Sequence, residues 1–201
     1  MSLTRAVFLD RDGVLNDLVY YADTGEHESP RTADDLRLLT GVPQALQRLQ
    51  LAGWTLFIVS NQPSYAKGKC TLEDLHGVAQ AMTATLAQHG LDIRVSYYDY
   101  THPQAVLGEY RRESLTRKPA PGFLLQAAHD HAIDLAQSWM VGDRDTDIQC
   151  GQAAGCKTAL ITTSADAAKR GRSQPDILCD TLTHVVDTLL KRENQTYADP
   201  R

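Results

Sequence analysis

The sequence predicts an α/β fold, a three-layer sandwich built around a mostly parallel sheet. Short apolar runs alternate with stretches of helical periodicity along the chain, which is the pattern of repeated strand–helix units. Several of these runs end abruptly in polar or acidic residues, as strands do where they deliver side chains to a site. No long insert interrupts the alternation. At 201 residues the chain is long enough for a substantial core. One domain over residues 1–190 and a polar, frayed tail over 191–201 are expected.

The elements follow in order. Ala6–Leu9 is a four-residue apolar run suited to a buried strand. Asp17–Asp35 is polar, holds Gly25 and Pro30, and reads as a loop of functional length. Val42–Ala52 has helical spacing, with Gly53 as its stop. Thr55–Val59 is a second buried strand, ending at Ser60-Asn61-Gln62-Pro63. Thr71-Leu72-Glu73-Asp74 resembles a capping box and starts a long helix to His89, stopped by Gly90. Asp92–Tyr98 is a third strand, and Asp99–Thr116 a polar connection. Arg117-Lys118-Pro119 precedes a helix that runs to about Ile133. Ser138–Val141 is a fourth strand, ending at Gly142-Asp143-Arg144-Asp145-Thr146-Asp147, and a short helix reaches Gly155. Lys157–Ile161 and Asp176–Leu178 are further strands, and Thr183–Leu190 is helical.

Composition narrows the class. Hydrophobic residues at 42% and charged residues at 22% fit a soluble globular protein. A net charge of −5 without a Lys/Arg cluster argues against a nucleic-acid partner. No apolar run is long enough to span a membrane, and Met1–Arg5 leads straight into the first strand without a leader. Cys70, Cys150, Cys156 and Cys179 show no Cys-x-x-Cys spacing, so free thiols in a reducing, cytoplasmic setting are expected. A monomer is the favoured state.

The chemistry begins at Asp10-Arg11-Asp12-Gly13. Residues i and i+2 of a strand share a face, and Gly13 permits a turn that brings both carboxylates together. Such a pair repels itself unless a cation lies between; with Mg²⁺ present, one carboxylate can be a nucleophile and the other a general acid/base. An Asx turn explains the same residues without chemistry. A calcium loop does not, because Val14 and Leu15 stand where further ligands and glycine belong.

Further stations lie at strand ends or helix starts: Ser60/Asn61, Lys118 and Asp143/Asp147. In open parallel sheets such positions share one crevice. Each has a plain alternative: a strand end for Ser60, a surface lysine for Lys118, a turn for Gly142-Asp143, a helix-dipole charge for Asp147. Together, acidic groups for a hard cation and a lysine and hydroxyl for phosphate describe phosphoryl transfer.

Asp10-x-Asp12-Gly13, an apolar run ending in Ser60, Lys118-Pro119 and Gly142-Asp143-x-x-x-Asp147 resemble the motifs of the haloacid dehalogenase-like (HAD) phosphatase superfamily. Phe8–Asn16, Ser60-Asn61-Gln62 and Arg117-Lys118-Pro119 are similar to its histidinol-phosphatase and heptose 1,7-bisphosphate phosphatase branch, over about Val7 to Ile161. The resemblance implies a Rossmann-like sheet and an aspartyl-phosphate mechanism. Asp10 would be the nucleophile and Asp12 the acid/base. Asp10, the backbone carbonyl of Asp12 and Asp143 would hold Mg²⁺. Ser60 and Lys118 would bind the transferring phosphoryl group. Asn61 and Arg117 would reach substrate, and Asp147 would orient Lys118 or the waters on the metal. Short inserts in place of a cap would leave the site open.

The chain departs from that branch in two places. Where the branch carries Cys-x-His and later Cys-x-Cys for zinc, this chain has Asp99, Thr101, Ser114 and Thr116, so no zinc is expected. Tyr97, Tyr98, Tyr100 and Tyr110 are expected to pack in its place, with His102 an ordinary polar loop residue and a site role as its alternative. Pro63–Gly68 replaces a Ser-Gly-Ile-Ala-Arg-Gly-like loop, with Lys67 for the arginine. A small phosphorylated metabolite is the expected substrate, a sugar bisphosphate foremost and heptose in particular. The alternatives are histidinol phosphate, a nucleic-acid 3′-phosphate, or a sugar-phosphate-binding protein without turnover.

Overall fold

The computed structural model describes residues 3–162 and 169–198. Its strands are β1 (Ala6–Leu9), β2 (Val19–Tyr21), β3 (Glu26–Glu28), β4 (Thr55–Asn61), β5 (Ile93–Asp99), β6 (Trp139–Gly142), β7 (Lys157–Ile161) and β8 (Ile177–Cys179). Its α-helices are α1 (Val42–Leu51), α2 (Leu72–Gln88), α3 (Gly122–His131), α4 (Asp145–Ala153) and α5 (Leu182–Ala198). Six strands form one sheet in the order β5-β4-β1-β6-β7-β8. Every pairing in it is parallel, with Leu9 opposite Ile58 on one side and Val141 on the other.

Alternation along the central strands divides the core into two layers. Val7, Leu9, Leu56, Ile58 and Val141 pack beneath α1, α2 and α5. Ala6, Phe8, Phe57, Val59 and Met140 pack beneath α3 and α4. Because the sheet is covered on both faces, β1 is apolar at all four positions, as a parallel strand should be. Phe8 stacks on Phe57 with ring centroids 5.2 Å apart. Burying such a ring contributes roughly 1.5–3 kcal/mol, and here it also sets β1 against β4 at the point where both deliver polar residues.

Two expectations are corrected. The stretch between β1 and α1 is not a plain loop: β2 and β3 form an antiparallel hairpin, with Tyr20 opposite His27. Arg31 stacks on the Tyr21 ring and reaches Asp23 and Glu28, which explains how so polar a ribbon is held. The helix expected to stop at Leu190 continues to Ala198 rather than fraying from Lys191, and 199–201 lie outside the described residues. All four cysteines are free thiols, with Cys150 and Cys156 buried. Among the described residues, no helix is long and apolar enough to cross a membrane.

Candidate active site

Parallel strands point their carboxyl ends in one direction, so β1, β4 and β6 deliver Asp10, Ser60 and Asp143 to the same crevice. All three residues are buried. Asp10 Oδ1 collects three donors: Ser60 Oγ at 2.7 Å, the Arg11 amide at 2.7 Å and Lys118 Nζ at 2.9 Å. Lys118 Nζ also lies 2.6 Å from Asp147 Oδ1 and donates to the Val59 carbonyl at 2.8 Å. Burial pulls the Lys118 ammonium down, but Asp10 and Asp147 outweigh it and hold the pKa above the ordinary lysine value. Lys118 is therefore a fixed charge at neutral pH.

The resemblance implies that Asn61 lies near the substrate. Its side chain clasps the Lys118 backbone at both ends: Oδ1 accepts the Lys118 amide and Nδ2 donates to the Lys118 carbonyl, each at 3.0 Å. Asn61 still borders the cavity described below. Asp147 is brought into the site by α4, whose first turn packs on Gly142. A Cβ on Gly142 would lie 2.1 Å from the Asp147 Cβ, so only glycine permits this approach. Burial raises the Asp147 carboxyl above its ordinary value, with Lys118 opposing the rise.

Carboxylate oxygens of Asp10, Asp143 and Asp147 lie within 4.8 Å of one another. Asp143 is fully buried, with Arg144 Nε 3.8 Å from its Oδ1. Three buried carboxylates, two of them paired with Lys118, form a hard oxygen donor set, the chemistry that suits Mg²⁺. The carboxylate of Asp12 stands apart from this group. It is held by Arg11 (Nε to Oδ1, 3.0 Å), Gln62 (Nε2 to Oδ2, 2.6 Å) and Asn16 (Nδ2 to Oδ1, 3.0 Å). Gln62 in turn accepts from Arg11 Nη2 at 2.7 Å and donates to Ser60 Oγ at 3.0 Å. Burial pushes the Asp12 carboxyl up, but Arg11 and the donors of Ser29, Gln62 and Asn16 bring it below the ordinary value. Arg11 and Gln62 are members of the site that residue-by-residue reading missed. Their positions beside Asp12 and after Ser60 were in view, but nothing in one dimension shows that they meet.

A cavity of about 520 Å³ opens beside these groups. Lys67, Lys69, Arg117, Arg144, Lys169 and Arg172 line it. Burial and the like charges of Lys69, Arg117 and Lys169 depress Lys67, the mark of a positive pocket. The hairpin forms one wall through Glu26, His27 and Glu28, so the site is less open than expected. His102, for which a site role is the alternative to a plain loop residue, is on the wall as well. Its Nδ1 accepts the Gln104 amide at 3.0 Å, and burial with Lys67 and Arg117 lowers its pKa to about 4.

The four tyrosines do not form one cluster: Tyr98 and Tyr100 meet with ring centroids 6.5 Å apart, while Tyr97 stacks on Phe123 and Tyr110 meets Tyr65 edge-on. The four residues Asp99, Thr101, Ser114 and Thr116 instead converge on one another. Asp99 Oδ1 accepts from the Thr101 amide and hydroxyl, and Oδ2 accepts from Ser114 and Thr116 hydroxyls at 2.6 Å each. One carboxylate among hydroxyls does not offer the sulfur and imidazole donors that structural zinc takes.

Comparison with known proteins agrees with this geometry. A profile of HAD-hydrolase-like proteins matches residues 115–185. The D-glycero-D-manno-heptose-1,7-bisphosphate 7-phosphatase of Thermosynechococcus vestitus is 36% identical over 90% of this chain and 93% of its own. The D-glycero-alpha-D-manno-heptose-1,7-bisphosphate 7-phosphatase of Burkholderia mallei is 37% identical over 82% and 83%. The crystal structure of D,D-heptose 1,7-bisphosphate phosphatase from B. bronchiseptica, complexed with magnesium and phosphate, superposes with a TM-score of 0.76. It is 28% identical and is covered over 99% of its length by 94% of this chain. A parallel sheet that gathers Asp10, Ser60, Lys118 and Asp143 at one end, and relatives of this identity over nearly the whole chain, place the protein in the HAD-like phosphatase superfamily, in the heptose-bisphosphate phosphatase branch.

Proposed function

We propose that the chain is a Mg²⁺-dependent phosphomonoesterase that hydrolyses one phosphate of a sugar bisphosphate, with a heptose 1,7-bisphosphate as the leading substrate. One observation carries the reading. All three donors to Asp10 are on Oδ1, which leaves Oδ2 as the attacking oxygen within the acidic group, and Lys118, one of those donors, lines the cationic cavity.

Asp10 Oδ2 attacks phosphorus and the ester P–O bond breaks, giving an aspartyl phosphate. Asp12, ionised in the free enzyme, takes up a solvent proton when the negative charge of the phosphate ester binds beside it, passes that proton to the leaving oxygen, and then takes one from the water that attacks the aspartyl phosphate, releasing inorganic phosphate. Lys118 and Ser60 orient Asp10 and offset negative charge on the phosphoryl oxygens. Asp10, Asp143 and the Asp12 carbonyl would hold Mg²⁺, which supplies further charge neutralisation at phosphorus. Asp147 keeps Lys118 charged and in place. Arg117, Lys67 and Lys69 receive the phosphate that is not transferred. The substrate is a free metabolite in the cytoplasm; the net charge of −5 disfavours a nucleic-acid end.

The test is Mg²⁺-dependent phosphate release across heptose 1,7-bisphosphate, histidinol phosphate and an aryl phosphate, beside Asp10→Asn. The bisphosphate should give the highest kcat/KM, and Asp10→Asn should lower the rate by about 10³-fold or more while leaving the fold unchanged. A near-normal rate in the variant removes Asp10 as nucleophile. Binding without turnover in the wild type replaces the enzyme with a binding protein.

A further inference from the structure

We propose that Asp99 is a positioning residue that holds Arg117 in the cavity by closing the base of the loop between β5 and α3 with hydrogen bonds. Two independent paths lead from its carboxylate to Arg117. Through Oδ1, Asp99 holds Thr101 by both amide (2.9 Å) and hydroxyl (2.5 Å), and the Thr101 carbonyl accepts from Arg117 Nη1 at 2.6 Å. Through Oδ2, it holds Ser114 and Thr116, and Thr116 is bonded to Arg117 along the chain. The guanidinium and the backbone of Arg117 therefore hang from the same carboxylate.

The surroundings make this carboxylate an anchor. Asp99 ends β5 and its carbonyl accepts the Gln62 amide at 2.7 Å, so it is tied to the strand end that carries Ser60. Asp99 and Thr101 are buried, whereas Arg111, Arg112 and Glu113, further along the same loop, are exposed. Burial pushes the carboxyl up, and the hydroxyls of Ser114, Thr101 and Thr116 outweigh it, so the ionised acceptor is the stable form. Asp99 also favours the charge on Arg117, which burial and Arg144 oppose. Closing a loop from 99 to 116 at its base removes most of its freedom, so Arg117 meets a ligand without first being ordered.

This role rests on the bisphosphate reading for its kinetic consequence but not for its structural one, and the two are measured separately. In Asp99→Ala, KM for heptose 1,7-bisphosphate should rise about tenfold or more, since a charge-assisted contact is lost. Its kcat should stay within about threefold, because Asp10, Lys118 and Asp143 are untouched. KM for an aryl monophosphate, which has no second phosphate to offer Arg117, should not change. Asp99→Asn, which keeps one acceptor, should fall between. Amide hydrogen exchange should accelerate within residues 100–117 and not in β1 or β4. An unchanged KM for the bisphosphate, or equal KM changes for both substrates, overturns the role. If the wild type ignores the bisphosphate, the substrate reading fails, and exchange alone decides the clamp: unchanged protection over 100–117 overturns it.

Discussion

At the scale of single residues, the site is a set of buried charges held by specific opposites. Arg11 is the clearest case, with only 1% of its surface exposed, bonded to both Asp12 and Gln62. Removing one partner of a buried ion pair leaves the other stranded, at a cost of about 3–5 kcal/mol. Arg11→Met should lose about that much at neutral pH, because Asp12 then keeps only its neutral donors. The sign of the pH dependence follows from Asp12. Its folded pKa is lowered in the wild type, so its stabilisation is complete above the ordinary carboxylate value and is lost as pH falls through the lowered one. In the variant, burial dominates and the pKa rises, so the deficit should shrink as pH is lowered from 7.5 to 5. Urea unfolding at both pH values checks this, and a deficit independent of pH contradicts it. The alkaline limb of the rate profile should also move upward, because Asp12 retains its proton to higher pH. Asp10, Asp12 and Lys118 were legible because their types and spacing carry chemistry even on paper. Arg11, Gln62 and Asp99 were not, because an arginine, a glutamine or a lone aspartate gains a role only from partners up to 51 positions away.

At the scale of elements, strand ends place the chemistry and one helix completes it. The helix α4 brings Asp147 to Lys118 only because Gly142 has no side chain. Gly142→Ala would force a Cβ to within 2.1 Å of the Asp147 Cβ, so strand and helix must separate. The expected loss is about 1–3 kcal/mol of stability, as for overpacking elsewhere, together with a kcat at least about tenfold lower, since Lys118 loses the carboxylate that steadies it. Thermal unfolding and steady-state rates measure the two effects, and a variant with normal kcat would show that Asp147 is dispensable to Lys118. The buried strands were readable from their apolar runs, because a sheet covered on both faces demands them. The hairpin was not readable: Val19-Tyr20-Tyr21 and Glu26-His27-Glu28 lack alternation, and what holds them is Arg31 with its ring and carboxylate partners.

At the scale of the whole molecule, an acidic protein of net charge −5 sets seven of its 20 Lys and Arg residues around one cavity and covers part of it with a polar hairpin. Glu28 joins the two. Its side chain is ion-paired with Lys69 on the loop after β4 and, at 3.1 Å, with Arg31 behind the hairpin. Burial raises the Glu28 carboxyl, but Lys69 and Arg31 outweigh it and hold it below the ordinary value, so the link is in place at neutral pH and is lost only as pH falls through that lowered value. Glu28→Gln has two opposed consequences. It loosens the wall, which raises KM for a bisphosphate, and it removes a negative charge from the cavity, which lowers it. Ionic strength separates them, because screening shrinks the Debye length to about 3 Å at 1 M salt and suppresses the charge effect, while a misplaced wall remains. A wall fastened by partly buried ion pairs should dominate, giving a KM about three- to tenfold higher at 0.15 M salt, with a similar ratio to wild type at 0.5 M and an unchanged kcat. A KM below wild type at low salt that returns to the wild-type value at high salt would instead make charge, not shape, the determinant of affinity, and the hairpin a bystander to binding.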